Sequence, residues 1–112
     1  MKRINSTPNG QLLYCEGHRT YHIEFGNLFL NMSPEHFESF KTYLNTIQWE
    51  YYLERNKNAA NRRKLVVNIG SQSIFMGLTS AEFMELRRLL NQTSPNRFLD
   101  YKEVIDFEIL FN

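Results

Sequence analysis

Cys15, His18 and His22 are the residues of this chain whose types and spacing could do chemistry. A thiolate and two imidazoles in one short stretch are ligands that zinc accepts, and a cysteine beside a histidine is also the pair from which a nucleophilic thiolate is built. The C-x2-H-x3-H pattern stops short of a complete site, because structural zinc takes four ligands and catalytic zinc takes three plus water. His36 lies too far along the chain for sequence to count it as a fourth. The plainer alternative is a hairpin whose polar residues face water, with Cys15 a small strand residue, His18 a turn residue and His22 on the wet face. Glu24 is the acid best placed to orient His22. Zinc is therefore the one cofactor left open, and the expectation is otherwise of none.

A second group is basic. Arg55, Lys57, Arg62, Arg63 and Lys64 bracket the polar stretch Asn56 to Asn61, and Trp49, Tyr51 and Tyr52 stand just before it. Cations interleaved with aromatics suit single-stranded nucleic acid, where the charges hold phosphates and the rings stack on bases. Glu50 and Glu54 dilute the patch, and 13 Lys and Arg against 12 Asp and Glu leave a formal charge of +1. A solvated linker is the stronger reading, and nucleic acid is not the expected partner. Glu35, Glu38, Glu82 and Glu85 fall where helices should begin, so the helix dipole accounts for them without catalysis. With no glycine-rich phosphate loop, nucleophile elbow, H-E-x-x-H or calcium loop in the sequence, enzymatic activity is placed last.

The elements that must position these residues are legible as a repeat. Tyr21 to Asn45 lies over Leu65 to Asn91, with Gly26 on Gly70, Ser33 on Thr79, Phe37 on Phe83, Phe40 on Leu86, Leu44 on Leu90 and Asn45 on Asn91. Each copy reads strand, turn, strand, capped helix. Leu12 to Cys15, Tyr21 to Phe25 and Leu28 to Met32 form three antiparallel strands, the last two joined by a Gly26-Asn27 turn. That turn sets Phe25 against Leu28, Ile23 against Leu30 and Tyr21 against Met32, and a turn over Glu16 to Arg19 sets Cys15 against Thr20. In the second copy Leu65, Val67, Ile69, Ile74, Met76 and Leu78 should point inward. Val66, Asn68, Phe75 and Gly77 should point out.

Ser33 with Pro34 and Thr79 with Glu82 are helix starts, the latter a capping box. Phe37, Phe40, Leu44 and Ile47 stripe a first helix that could run on to about Arg55, and Phe83, Leu86, Leu89 and Leu90 stripe the second. Ser94, Pro95, Phe98, Tyr101 and Ile105 repeat the helical offsets once more, while Ile105, Phe107, Ile109 and Phe111 alternate like a strand. The expected fold is α+β, a two-layer sandwich in which an antiparallel sheet of five to six strands is packed by two or three helices, built from two β-β-α repeats. Residues 1–10 read as a mobile lead-in and 11–112 as a single domain, with repeats at about 20–55 and 64–92 and a C-terminal segment at 94–112.

Phe29, Phe75, Leu13 and Val66 all fall on the sheet side opposite the core, and an apolar patch of that kind marks an interaction surface. Its cover is the C-terminal segment or another subunit. Cys15, the Glu24-Phe25-Gly26-Asn27 turn and the Ser33-x-x-x-Phe37-x-x-Phe40 helix resemble a family of short bacterial proteins of unknown function. The resemblance covers about the first 45 residues and implies a C-x-x-C first hairpin, in which His18 here stands for the second cysteine. It implies no activity. Functionally the expectation is a non-enzymatic interaction or assembly module binding a protein partner or a second copy, with a small metal-binding or nucleic-acid-binding regulator as the alternative. The polar start MKRINSTPNG, the single cysteine and the lack of a membrane-length apolar run point to the cytoplasm and away from membranes.

Overall fold

The computed structural model describes residues 1–71 and 73–91, the side chain of Ser71 aside. In chain order come β1 (Lys2–Thr7), β2 (Gly10–Cys15), β3 (Thr20–Phe25), β4 (Leu28–Met32), α1 (Pro34–Thr46), α2 (Trp49–Arg55), β5 (Leu65–Ser71), β6 (Ile74–Leu78) and α3 (Ser80–Asn91). The fold is α+β. Its strands form one four-stranded antiparallel sheet in the order β1-β2-β3-β4 and a separate β5-β6 hairpin, where a single sheet of five to six strands was expected. The helices explain the separation. α1 lies against β3, β4 and β5, and α3 lies against β1, β2 and β6, so the two helices bridge the sheets. The expected C-terminal helix or strand lies outside the described residues.

The hairpin arithmetic holds where the sequence is regular. Phe25 pairs with Leu28, Ile23 with Leu30 and Tyr21 with Met32, and Cys15 pairs with Thr20. Gly26 takes φ 61°, the left-handed conformation that a two-residue hairpin turn demands and glycine supplies without strain. One core results, joining Leu12, Ile23, Phe25 and Met32 of the larger sheet to Phe37, Phe40 and Leu44 of α1. Leu65, Val67 and Leu78 of the small hairpin complete it with Phe83, Leu86, Leu89 and Leu90 of α3. Tyr21 stacks on Phe37 with centroids 4.0 Å apart.

Both helix starts behave as their residues dictate. Ser33 Oγ accepts from the His36 amide at 3.1 Å behind Pro34. Thr79 Oγ1 accepts from the Glu82 amide at 3.1 Å while Glu82 Oε1 accepts from the Thr79 amide at 2.8 Å, a closed capping box. The first helix does not continue to Arg55. It stops at Ile47, whose ψ of 131° is extended, and the chain restarts as α2 after Gln48. The break turns Trp49 and Leu53 back onto the core, and Trp49 comes within 6.4 Å of Phe83.

The N-terminus differs most from expectation. Residues 1–10 are not a mobile lead-in: Lys2–Thr7 form β1, folded back on β2 through a Pro8-Asn9 turn. A bulge sets Ile4 and Asn5 together opposite Leu12, which breaks the alternation that would have revealed the strand. The bulge carries Asn5 inward, where its amide donates to the Arg88 and Leu89 carbonyls at 3.2 and 3.1 Å, satisfying the last turn of α3.

Glu85 secures the same end from the helix side. Its carboxylate accepts from Thr7 Oγ1 at 2.7 Å, the Asn9 amide at 2.8 Å and Asn9 Nδ2 at 2.9 Å. Burial opposes its ionisation, yet the donors from Thr7 and Asn9 outweigh burial and hold the carboxyl below its usual range. Glu85 is thus a buried clasp and not a dipole residue of the first turn.

The β5-β6 hairpin also departs in one detail. Leu65, Val67 and Leu78 are buried as expected, but the register shifts between Asn68 and Ser71 so that Ile74 pairs with Ser71. Ile74 is consequently exposed instead of buried.

Candidate functional site

The first hairpin brings Cys15 and His18 together and leaves His22 apart. The turn between β2 and β3 is closed by the Arg19 amide donating to the Glu16 carbonyl at 3.3 Å, with Arg19 at φ 47°. Thr20 Oγ1 then donates to the His18 carbonyl at 2.8 Å, fixing that residue's backbone. In this frame His18 Nδ1 lies 3.3 Å from Cys15 Sγ. Hydrogen bonding from the His18 side chain, then from its backbone, pulls the thiol below its ordinary range. His22 instead sets Nδ1 2.6 Å from Asn31 Oδ1 across the β3-β4 ladder. Among the described residues no group of three His, Cys, Asp or Glu side chains is placed to hold a metal.

The basic residues are scattered into local bonds. Arg63 forks onto Glu82 at 3.1 and 3.2 Å, and this bond, ahead of the Thr79 cap, holds the Glu82 carboxyl below its usual range. Lys64 Nζ donates to the Ala59 carbonyl, and Arg55 donates to Tyr51 Oη at 2.9 Å. Arg62 is exposed on the loop. Lys57 pairs with Glu54 at 2.7 Å, so four of the five cations are engaged: Arg55 within α2, Lys57 and Lys64 in the connection from α2 to β5, and Arg63 between that connection and α3.

The apolar residues of the expected outer face divide between the two sheets. Phe29 stands on β4, 66% exposed, while Leu13, on β2, is only 3% exposed and is not available as a contact. Val66 and Phe75 are together. They occupy the outer side of the β5-β6 hairpin, diagonally across the ladder, and are 60% and 57% exposed. The opposite side of the same hairpin is core.

Sequence reasoning missed a cleft of about 590 Å³ between β5 and the α1-α2 break. Its floor includes Phe83, Leu65 and Val67, and its rim carries Tyr43, Gln48 and Tyr52. The volume is that of a small-ligand pocket. The stretch Asn45-Thr46-Ile47-Gln48, poor in strong helix formers, was the available signal for the break that opens it.

Residues 1–112 match, end to end, a family of unknown function, DUF6686. The chain belongs to that family. Among curated proteins and among solved structures nothing matches it. Membership in DUF6686 brings no activity with it, so the functional reading rests on the residues described above. No helix among the described residues is long and apolar enough to cross a membrane.

Proposed function

We propose that this DUF6686 protein is a non-enzymatic assembly module that binds a second copy of itself through the outer side of the β5-β6 hairpin. The observation that carries the reading is the pair Val66 and Phe75, each more than half exposed on a surface whose reverse side is core. A solvent-facing strand side ordinarily alternates to polar residues, and here the alternation puts a valine and a phenylalanine there instead. In an isologous interface the same patch serves both partners, so the apolar pair of one chain meets that of the other without a second kind of protein.

The metal-binding alternative has the Cys15–His18 contact in its favour, which supplies two of the four ligands of a structural zinc. The assembly reading has the more complete surface. Its test is a dilution series followed by amide NMR. Resonances of Val66, Phe75 and Gly77 should move together with protein concentration while those of the β2-β3 turn stay fixed. Resonances that do not move over a hundredfold dilution, roughly 3 kcal/mol in chemical potential, would remove the reading.

A further inference from the structure

Among the described residues one edge of β5 carries no partner strand, and the cleft lies along it. β5 pairs with β6 on one side, and no described strand lies on the other. In an antiparallel pair successive residues turn their N–H and C=O alternately toward the partner and away from it. Asn68 turns away, since its amide donates to Tyr43 Oη at 3.0 Å. Lys64 turns the same way, and its carbonyl accepts from Asn56 Nδ2 at 2.9 Å. Val66 lies midway between them in the regular part of the ladder, so its N–H and C=O also point outward. Tyr43 of α1 and Asn56 just past α2 thus cap the edge at both ends with side chains, both lining the cleft, and among the described residues nothing caps the middle residue.

We infer that the cleft is a binding site for an extended, uncharged peptide segment, one residue of which pairs with Val66 as an added strand. An added strand supplies one donor and one acceptor on a single edge, the complement of what Val66 presents. Its charge state follows from the walls. Among the described residues the lining includes tyrosines, amides and aliphatics but no Lys, Arg, Asp or Glu, so a charged segment would be desolvated there without a counter-charge. The floor of Phe83, Leu65 and Val67 accepts an apolar side chain from the segment. Val66 belongs to both surfaces, its side chain on the outer side of the hairpin proposed above for self-association and its N–H and C=O on the strand edge that the segment pairs with.

The test uses the full chain, kept dilute so that self-association plays no part, with a capped pentapeptide of alternating valine and threonine as probe. Peptide at millimolar concentration should shift the Val66 amide and change the fluorescence of Trp49, which sits 6.4 Å from Phe83 in the cleft floor. Exchange of the Val66 amide hydrogen should slow by roughly tenfold or more at saturation. The same peptide N-methylated at every residue should do neither. Val66→Pro removes the outward donor at an edge position that tolerates proline, and should abolish the response. Equal effects from the N-methylated peptide, or shifts spread over the surface with Val66 exchange unchanged, would overturn the proposal without reference to the variant's folding.

Discussion

Asn45 and Asn91 exchange two hydrogen bonds, each amide donating to the other's carbonyl oxygen at 2.9 Å. They stand in the last turns of α1 and α3, at the final matched positions of the expected alignment of Tyr21 to Asn45 with Leu65 to Asn91. A contact in which i meets j just as j meets i is what a twofold relation between the two units would impose, because residues on such an axis meet their own counterparts. Asn45→Ala and Asn91→Ala should each cost about 0.5–1 kcal/mol, and the double variant little more than either single one. Denaturant unfolding of the four proteins gives the coupling. Strict additivity would show the two amides to be independent.

Glu85 should make the protein acid-sensitive. Its folded pKa is depressed, so its contribution is fully present above the unfolded value, about 4.3, and fades as pH falls through the folded one. Glu85→Gln keeps one acceptor and removes the titration, so its stability should change less between pH 6 and pH 3, a window of roughly that reference value either side. Glu85→Ala should cost about 1–3 kcal/mol at neutral pH, since it leaves the Thr7 and Asn9 donors unpaired. Thermal unfolding against pH decides between these outcomes and a clasp of no consequence.

How the N-terminal strand escaped the sequence shows where such reading stops. The pairing of Phe25 with Leu28 and the caps at Ser33 and Thr79 involve residues a few positions apart, and short-range chemistry dictates them. Beyond its ladder with β2, β1 is held by Asn5 and Thr7 reaching α3, with polar partners 84 and 78 residues away along the chain. Its one apolar residue, Ile4, gives no alternation to read, although Thr7-Pro8-Asn9-Gly10 carries a turn signal. The sequence grouped Cys15, His18 and His22 by type and spacing, but not which of them meet: His18, within the turn, reaches Cys15, while His22 is drawn to Asn31 across the ladder. The cleft was not legible, because it depends on where α1 breaks and how β5 then passes Tyr43.

Gly70 tests the second hairpin. It sits at φ 104°, and a Cβ added there would lie 2.5 Å from His36 Nε2. Gly70→Ala should therefore destabilise by more than about 1 kcal/mol through backbone strain, with the clash adding to it. Gly70→Ala combined with His36→Ala should relieve the clash and leave the strain. Chemical denaturation of both variants measures the division, and a Gly70→Ala protein as stable as wild type would contradict this geometry.

Cys15 should alkylate as a thiol made more acidic by its neighbour. Iodoacetamide rates against pH should give an apparent pKa below the ordinary thiol value, and His18→Ala should move it up, because the His18 side-chain bond is the largest cause of the shift. His22→Ala should leave it in place, since His22 pairs with Asn31. A profile that His18→Ala does not move would mean that the 3.3 Å contact has no electrostatic effect.

The assembly reading is tested most directly by the molar mass of the full chain in solution, measured by light scattering over a concentration series for wild type and Phe75→Glu. A carboxylate at the centre of an apolar interface must be desolvated without a partner. The account predicts that wild type approaches twice the mass of 13.4 kDa as concentration rises, while Phe75→Glu, with an unchanged circular dichroism spectrum, stays at the single-chain mass. Wild type that remains a monomer throughout, or Phe75→Glu that associates as well as wild type, would contradict it.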